Sequence, residues 1–393
     1  MPRNWIDVIS AGPGAEDLLT AQAQAALRAA GAVFCADRHA ALIPAEKRRP
    51  LVPFQAALDE MAALPRCAVL VSGDTGLYSM LGLLVQRFGR ESLRVIPGVS
   101  SLQALCARLA IPWQDAKILS AHGRNCPPEA LCHYARTNPA VLLLLDAEHG
   151  PRWVCQALAA GNLAHLPLTV GERISYPDER IAPYEPREYD PLSVAVIQNP
   201  SPRKGLPPIG LPDDAFIRGK TPMTKREIRV QALSSLQLPP DATVWDIGAG
   251  TGSVTVECAR QCPLGRVYAI ERDDAALALI RQNMEKFCLQ NITVIPGTAP
   301  AALESLPAPT HVFLGGTGGE TEAVLNLVPP NTRVCATAVT MESAALYARL
   351  LCGCVDFTAA QIAVSRLEKA GGYRLLRAQN PVFVFSATTG GTP

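Results

Sequence analysis

Short hydrophobic runs and amphipathic stretches follow one another through the first part of the chain. The hydrophobic runs predict strands, and the stretches with helical periodicity predict helices. The strands are predicted at 6–10, 32–35, 68–72 and 94–96, and the helices at 21–30, 77–88 and 101–109. This alternation indicates a parallel α/β sheet. Further strand-like runs at 118–120, 141–145, 168–170 and 194–197 indicate a second lobe, with a cleft between the two.

A proline-rich segment then interrupts the pattern. Its fixed φ angles and missing backbone donors favour an extended linker. We therefore expect a domain at 1–200, a linker at 201–212 and a second domain at 213–393. In the second domain, strand–helix units repeat from Val244 onward. Its last two strands, near 354–365 and 382–386, lack an intervening helix and predict an antiparallel pair at the sheet edge.

The second domain begins its sheet with a glycine loop. Gly248, Gly250 and Gly252 follow the strand-like run at 244–247, and Glu271 lies at the tip of the next strand. Glycines let a bound molecule approach the backbone, and an acid at this distance is placed to accept hydrogen bonds from ribose hydroxyls. Ser253 stands where a dinucleotide loop has its third glycine. The spacing thus favours S-adenosylmethionine (SAM) over a dinucleotide, with a ligand-free turn as the alternative.

Other segments of the second domain add candidates around this loop. Thr224 followed by Glu227 predicts a helix N-cap with a capping box, and the functional interpretation places Thr224 near the cofactor. Ala299 follows the third strand, where a backbone contact to the adenine is expected. Gly315 and Gly316 follow the fourth strand and open a crevice at its carboxyl end. Asp246 is interpreted as a carboxylate that helps to place an ammonium group.

Three loops of small residues occur in the first domain. They contain G-P-G at 12–14, G-D-T-G-L-Y at 73–78 and P-G-V-S-S at 97–101, each at the predicted carboxyl end of a strand. Together they define one crevice. None has the lysine spacing of a phosphate loop, so nucleoside triphosphate binding is not expected.

Composition excludes several classes of protein. The 393 residues are 48% hydrophobic and 18% charged, which is typical of a globular chain with room for two cores. A net charge of +1 argues against a nucleic-acid-coating surface, and the longest apolar run is far short of a membrane span. The 12 cysteines are scattered without metal-ligand spacing, so no metal site is expected. With no secretory leader expected, the protein is predicted to be cytoplasmic.

These motifs carry a resemblance to known families. The first domain resembles the tetrapyrrole methylase family (class III SAM methyltransferases), which has G-P-G, G-D-x-x-x-Y and P-G-x-S-S in this order. The segments 120–124 and 170–181 are similar to its precorrin C5-methylating branch. Through P-M-T-K-x-E-x-R, D-I-G-A-G-T-G, G-T-A-P and F-L-G-G-T-G-G, the second domain resembles the precorrin C15-methylating, decarboxylating enzymes. Together the resemblances cover most of the chain.

The resemblance implies an α/β fold in which a two-lobed tetrapyrrole methylase domain precedes a Rossmann-like SAM methyltransferase domain. It implies methylation of a precorrin at C5 and C15, with decarboxylation of the C12 acetate, in cobalamin biosynthesis. It also implies one SAM site per domain and a homo-oligomer. The residues implied to bind SAM are Pro13, Gly73, Asp74, Leu77, Ser100, Ser101, Thr224, Gly248, Ala249, Gly250, Thr251, Gly252, Glu271 and Ala299.

The implied substrate is a carboxylate-rich macrocycle, and arginine suits a planar carboxylate. We therefore hypothesise that Arg124, Lys225, Arg226 or Arg229 binds substrate carboxylates, with solvated surface charges as the alternative. Substitution of Arg124 is expected to weaken C5 methylation and spare C15 methylation. No residue is assigned to the chemical step.

Three alternatives remain at this stage. They are the cobalt-precorrin equivalent of the same activity, an RNA or protein methyltransferase, and a regulatory SAM-binding module. The near-neutral charge argues against RNA, and two intact sets of loops argue against the regulatory module.

Overall fold

The computed structural model describes residues 5–123, 126–203 and 208–390. The chain divides into two compact units. The first comprises Met1–Pro127, Tyr134–Ala159 and Leu163–Arg203, and the second comprises the remaining segments, chiefly Lys204–Pro393.

The first unit begins with a five-stranded parallel sheet in the order β3-β2-β4-β1-β5. Its strands are β1 (Trp5–Ser10), β2 (Val33–Cys35), β3 (Arg48–Pro50), β4 (Arg66–Val71) and β5 (Leu93–Ile96). Its helices are α1 (Ala21–Ala29), α2 (Phe54–Ala63), α3 (Leu81–Phe88) and α4 (Ser101–Leu109). The interior strand β1 is buried from Ile6 onward, because apolar clusters cover both faces of the sheet. The predicted strands are thus present, while β3 and α2 were not predicted.

Helix α3 begins at Leu81, four residues later than the pattern predicts. The preceding residues form a loop in which the Asp74 carboxylate accepts a hydrogen bond from the Gly76 amide at 2.8 Å. Tyr78 has a φ of 49°, which a helix does not allow. The helical spacing of apolar residues thus continues into the preceding loop, which is why the sequence predicted a helix that begins too early.

A second sheet has the order β6-β7-β10-β8-β9. Its strands are β6 (Lys117–Ser120), β7 (Ala140–Leu144), β8 (Leu168–Glu172), β9 (Arg180–Pro183) and β10 (Ser193–Gln198). The segment also contains helices α5 (Pro128–Thr137) and α6 (Pro151–Ala160). Strand β10 runs antiparallel to both β7 and β8, so this sheet is mixed.

The second unit has a seven-stranded sheet in the order β13-β12-β11-β14-β15-β19-β16. The strands are β11 (Thr243–Ile247), β12 (Arg266–Glu271), β13 (Ile292–Pro296), β14 (His311–Leu314), β15 (Arg333–Ala338), β16 (Val355–Ile362) and β19 (Val382–Thr388). The helices are α7 (Arg226–Leu236), α8 (Ser253–Gln261), α9 (Asp274–Lys286), α10 (Thr321–Asn326) and α11 (Met341–Leu351).

Strands β11 to β15 are parallel, whereas β16 and β19 form the predicted antiparallel pair at the edge. A separate hairpin, β17 (Ser365–Ala370) with β18 (Tyr373–Ala378), lies between them in sequence and was not predicted. Two apolar clusters cover opposite faces of the sheet, which explains why β11 is buried from Val244 onward. Within the described ranges, every helix is too short or too polar to cross a bilayer.

Candidate active sites

The first unit has a cavity of about 320 Å³. It is lined by all six residues that the resemblance implied for SAM in this domain, namely Pro13, Gly73, Asp74, Leu77, Ser100 and Ser101. They come together because loops after parallel strands meet at one edge of a sheet. The size suits a small-molecule site.

Backbone contacts fix the three loops of this cavity against each other. The Gly73 amide donates to the Gly12 carbonyl at 2.9 Å. The second oxygen of the Asp74 carboxylate accepts a hydrogen bond from the Gly98 amide at 3.0 Å. A Cβ at Gly98 would lie 2.0 Å from Ser10 Oγ, so this loop requires glycine. Ser100 caps α4 through a capping box with Gln103, which places its side chain at the start of that helix.

The second unit has a cavity of about 630 Å³ at the carboxyl ends of its parallel strands. The implied SAM residues that line it are Thr224, Gly248, Ala249, Gly250, Thr251, Glu271 and Ala299, and the crevice glycines Gly315 and Gly316 join them. Gly252 is absent from the lining. It lies at the N-cap of α8 with φ 76°, where an added Cβ would meet Ile280 at 3.1 Å.

The glycine loop is closed by close backbone packing. Gly248 has a φ of 74°, and a Cβ there would lie 2.5 Å from the Gly316 carbonyl oxygen. The Glu271 carboxylate accepts hydrogen bonds from the amides of Gly250 at 2.8 Å, Arg272 at 2.8 Å and Asp273 at 3.0 Å. Glu271 therefore holds the loop in shape as well as facing the cavity.

One local prediction in this region is wrong. Helix α7 begins at Arg226, and Lys225 occupies the N-cap position without a side-chain hydrogen bond. Thr224 is therefore not the cap. The capping role is taken by Asp213, which is distant in sequence and whose carboxylate accepts a hydrogen bond from the Arg226 amide at 3.0 Å. Asp246 is fully buried and lies outside the cavity lining. Its contact with an ammonium group stays a prediction.

The proposed carboxylate-binding residues have different positions. Lys225 lines the second cavity, whereas Arg226 is exposed outside it. Arg229 is 0% exposed and bound to Glu257 at 2.9 Å and to Asp213 at 2.8 Å. This burial contradicts a role for Arg229 in substrate binding. Arg124 lies outside the described residues.

Sequence reasoning missed a polar group in the first cavity. Arg38 and His39 follow β2, and Ser72 follows the neighbouring strand β4. All three line the cavity. Their position after strand ends at the same sheet edge was the signal that could have identified them. His122 also lines this cavity, whereas His311 is buried in β14. No group of metal ligands occurs in the described parts of the chain.

Comparison with known proteins agrees with this architecture. A family model for tetrapyrrole (corrin/porphyrin) methylases matches residues 6–187, and one for the precorrin methyltransferase domain matches residues 214–389. The fold and the two sites thus define a two-domain methyltransferase of a SAM-dependent class. This confirms the α/β class expected from the sequence, with a tetrapyrrole methylase domain followed by a Rossmann-like domain.

Full-length relatives identify the particular family. The chain is 30% identical to the precorrin-6Y C(5,15)-methyltransferase (decarboxylating) of Sinorhizobium sp, over 98% of this chain and 97% of the relative. It is 28% identical to the protein of that name from Mycobacterium tuberculosis, over 97% and 99% of the two chains. The chain therefore belongs to the precorrin-6Y C(5,15)-methyltransferase (decarboxylating) family, which acts in cobalamin biosynthesis. These matches do not favour an RNA or protein methyltransferase.

A solved structure titled precorrin-6Y C5,15-methyltransferase, from Geobacter metallireducens GS-15, is 34% identical to this chain. It covers 46% of this chain and 98% of its own, with a TM-score of 0.44.

Proposed function

We propose that the two cavities divide the reaction between them. The first methylates a precorrin at C5, and the second methylates C15 and removes the C12 acetate carboxyl group as CO2. The observation that carries the proposal is that each unit gathers its own set of strand-end loops around its own cavity. The two family models on separate halves of the chain support it.

We further propose one SAM site in each cavity. In the second unit, bare glycine backbone and the ribose-facing Glu271 fit a nucleoside with an amino acid tail, and about 630 Å³ leaves room for part of a second molecule. Gly248 to Thr251, Thr224 and Ala299 would hold it. In the first unit, Gly73, Asp74 and the start of α4 at Ser100 would do so. Bound SAM supplies an electrophilic methyl group.

The chain's own residues then act mainly by positioning. The meso carbons of a reduced macrocycle are enamine-like nucleophiles, and holding one in line with a methyl donor is itself a large part of catalysis. Walls of apolar side chains and backbone also exclude water from the reacting carbon. This agrees with the absence of a catalytic triad or a paired carboxylate motif from the chain's sequence.

Decarboxylation requires more than positioning, because an electron pair has to be accepted. The electrons released when CO2 leaves need a sink, which the conjugated iminium system of the macrocycle provides. Lys225 lines the second cavity and has no ion-pair partner among the residues that the structure describes. We assign Lys225 to a substrate carboxylate that stays on the macrocycle. An ion pair with the C12 acetate carboxylate would instead stabilise that carboxylate and oppose the loss of CO2.

We also propose a cytoplasmic homo-oligomer. The twelve cysteines, which all lie in the described part of the chain, form no disulfide, and this suits a reducing compartment. Size-exclusion chromatography with light scattering measures the assembly directly, and a monomer there would refute it.

Mass spectrometry of the product tests the division of labour. The pure protein is incubated with SAM and either metal-free precorrin-6B or its cobalt form. We expect a gain of two methyl groups and loss of one CO2 from the metal-free substrate. A Lys225→Gln variant should neither release CO2 nor add the C15 methyl group, while still adding the C5 methyl group. No change in either substrate would refute the proposed function.

A further inference from the structure

The first cavity contains one cation that is not neutralised. Its charged lining residues other than histidine are Arg38, Asp74 and Arg173. Asp74 accepts the amides of Gly76 and Gly98, and Arg173 pairs with Asp178 at 2.7 Å and with Asp190 at 3.7 Å. Of the two arginines, Arg38 alone lacks an oppositely charged partner within the described ranges.

Neutral groups hold the Arg38 guanidinium in place. Its Nε donates to His39 Nε2 at 3.3 Å, and its Nη2 donates to Ser72 Oγ at 2.5 Å. Ser72 Oγ is in turn 2.7 Å from His39 Nε2. These three residues, the Arg38 cluster, come from the ends of β2 and β4, which are rigid neighbours in the sheet.

His39 is suited to orient a cation without neutralising it. The side chain is 1% exposed, and both burial and the Arg38 charge keep its pKa low, at about 4. The imidazole is therefore neutral near pH 7 and accepts at Nε2. Two acceptors on one side of the guanidinium fix its plane, leaving the remaining N–H groups for a ligand.

We propose that Arg38 binds a carboxylate of the macrocycle in the first cavity, with His39 and Ser72 as positioning residues. An unpaired guanidinium on a cavity wall matches a planar carboxylate, and the implied substrate carries several. This inference rests on the proposed function of the first unit. It adds the residue that sets the orientation of the macrocycle there, and hence which meso carbon faces the methyl donor.

Kinetics of C5 methylation test the proposal. With precorrin-6B as substrate, Arg38→Gln should raise KM about 10- to 100-fold, the range for a lost charge-assisted hydrogen bond, while kcat changes far less. Arg38→Lys should fall between this variant and the wild type. Added ethylguanidinium should partly restore Arg38→Ala. Arg28→Gln, on the exposed side of α1, serves as the matched control.

Each alternative result has a defined meaning. An unchanged KM in Arg38→Gln, or a loss confined to kcat, would overturn the carboxylate assignment. If Arg38→Gln unfolds at a lower temperature than the wild type, its KM does not test the carboxylate assignment. The KM of Arg38→Lys and the rescue of Arg38→Ala by ethylguanidinium then test it. If the wild type adds no methyl at C5, the proposed function fails separately. Titration of precorrin-6B into wild type and Arg38→Gln then decides, since equal affinities would refute the assignment.

Discussion

At the scale of single residues, the least expected feature is a buried carboxyl group beside the glycine loop. Asp246 is fully buried, and the Thr255 hydroxyl donates to one of its oxygens. The other oxygen has no hydrogen-bond partner in the described parts of the chain. Burial raises the pKa of Asp246 to about 7, because water no longer stabilises the charged form.

This pKa predicts a specific pH dependence of stability. Between about pH 4 and pH 7 the folded state keeps a proton on Asp246 that the unfolded state has released. The contribution of Asp246 to stability should thus be full below this window and fall as pH rises through it, by about 1.4 kcal/mol per pH unit at most. Asp246→Asn should remove this slope, as measured by urea unfolding across the window. Parallel curves for wild type and variant would contradict the shifted pKa.

At the scale of elements, helix α7 is held by a buried ion cluster. Arg229 extends from α7 to Glu257 on α8 and to Asp213 in the preceding segment. Its guanidinium also donates to the Thr224 carbonyl at 2.6 Å and lies over the Phe216 ring. Because Thr224 lines the second cavity, Arg229 supports that cavity from behind.

Loss of this arginine should be costly. Arg229→Met leaves the buried Glu257 carboxylate without a cation, although Asp213 keeps its ion pair with Arg366 at 3.1 Å. Removing one partner of a buried ion pair typically costs about 3–5 kcal/mol. Arg226→Met, three residues away on the exposed face of the same helix, should change stability by less than about 0.5 kcal/mol. Denaturant unfolding of both variants measures the difference. Similar losses in the two would show that the cluster does not stabilise α7.

At the scale of the whole molecule, each unit has its own core and its own cavity. Each cavity also depends on a glycine that no other residue can replace without movement. These are Gly98, whose Cβ would meet Ser10 Oγ, and Gly248, whose Cβ would meet the Gly316 backbone. The two positions allow the sites to be disabled one at a time.

Calorimetric titration with S-adenosylhomocysteine should give two sites per wild-type chain. Gly98→Ala and Gly248→Ala should each reduce this to one, and only the second should abolish C15 methylation. Gly353→Ala is the control, since an added Cβ there meets nothing within 4 Å. A single site in the wild type would refute one cofactor per domain.

The sequence by itself determined the alternation of strands and helices, the loops at the strand ends and the family. Apolar periodicity and glycine spacing are local patterns, and parallel strands bring their carboxyl ends to one edge whatever their order. This is why Gly73, Ser100, Gly248 and Glu271 could be assigned to cavities from their positions in the chain.

Only the tertiary structure decided the strand order, the β17–β18 hairpin, and the burial and pairing of each charged side chain. Arg226 and Arg229 look alike on an amphipathic helix, yet one is exposed and the other is buried against acids. Arg38 and Ser72 are 34 residues apart and meet only because β2 pairs with β4. Long-range packing fixes such partners. A local pattern can place both residues after strand ends at one sheet edge, but it cannot show that the two side chains meet.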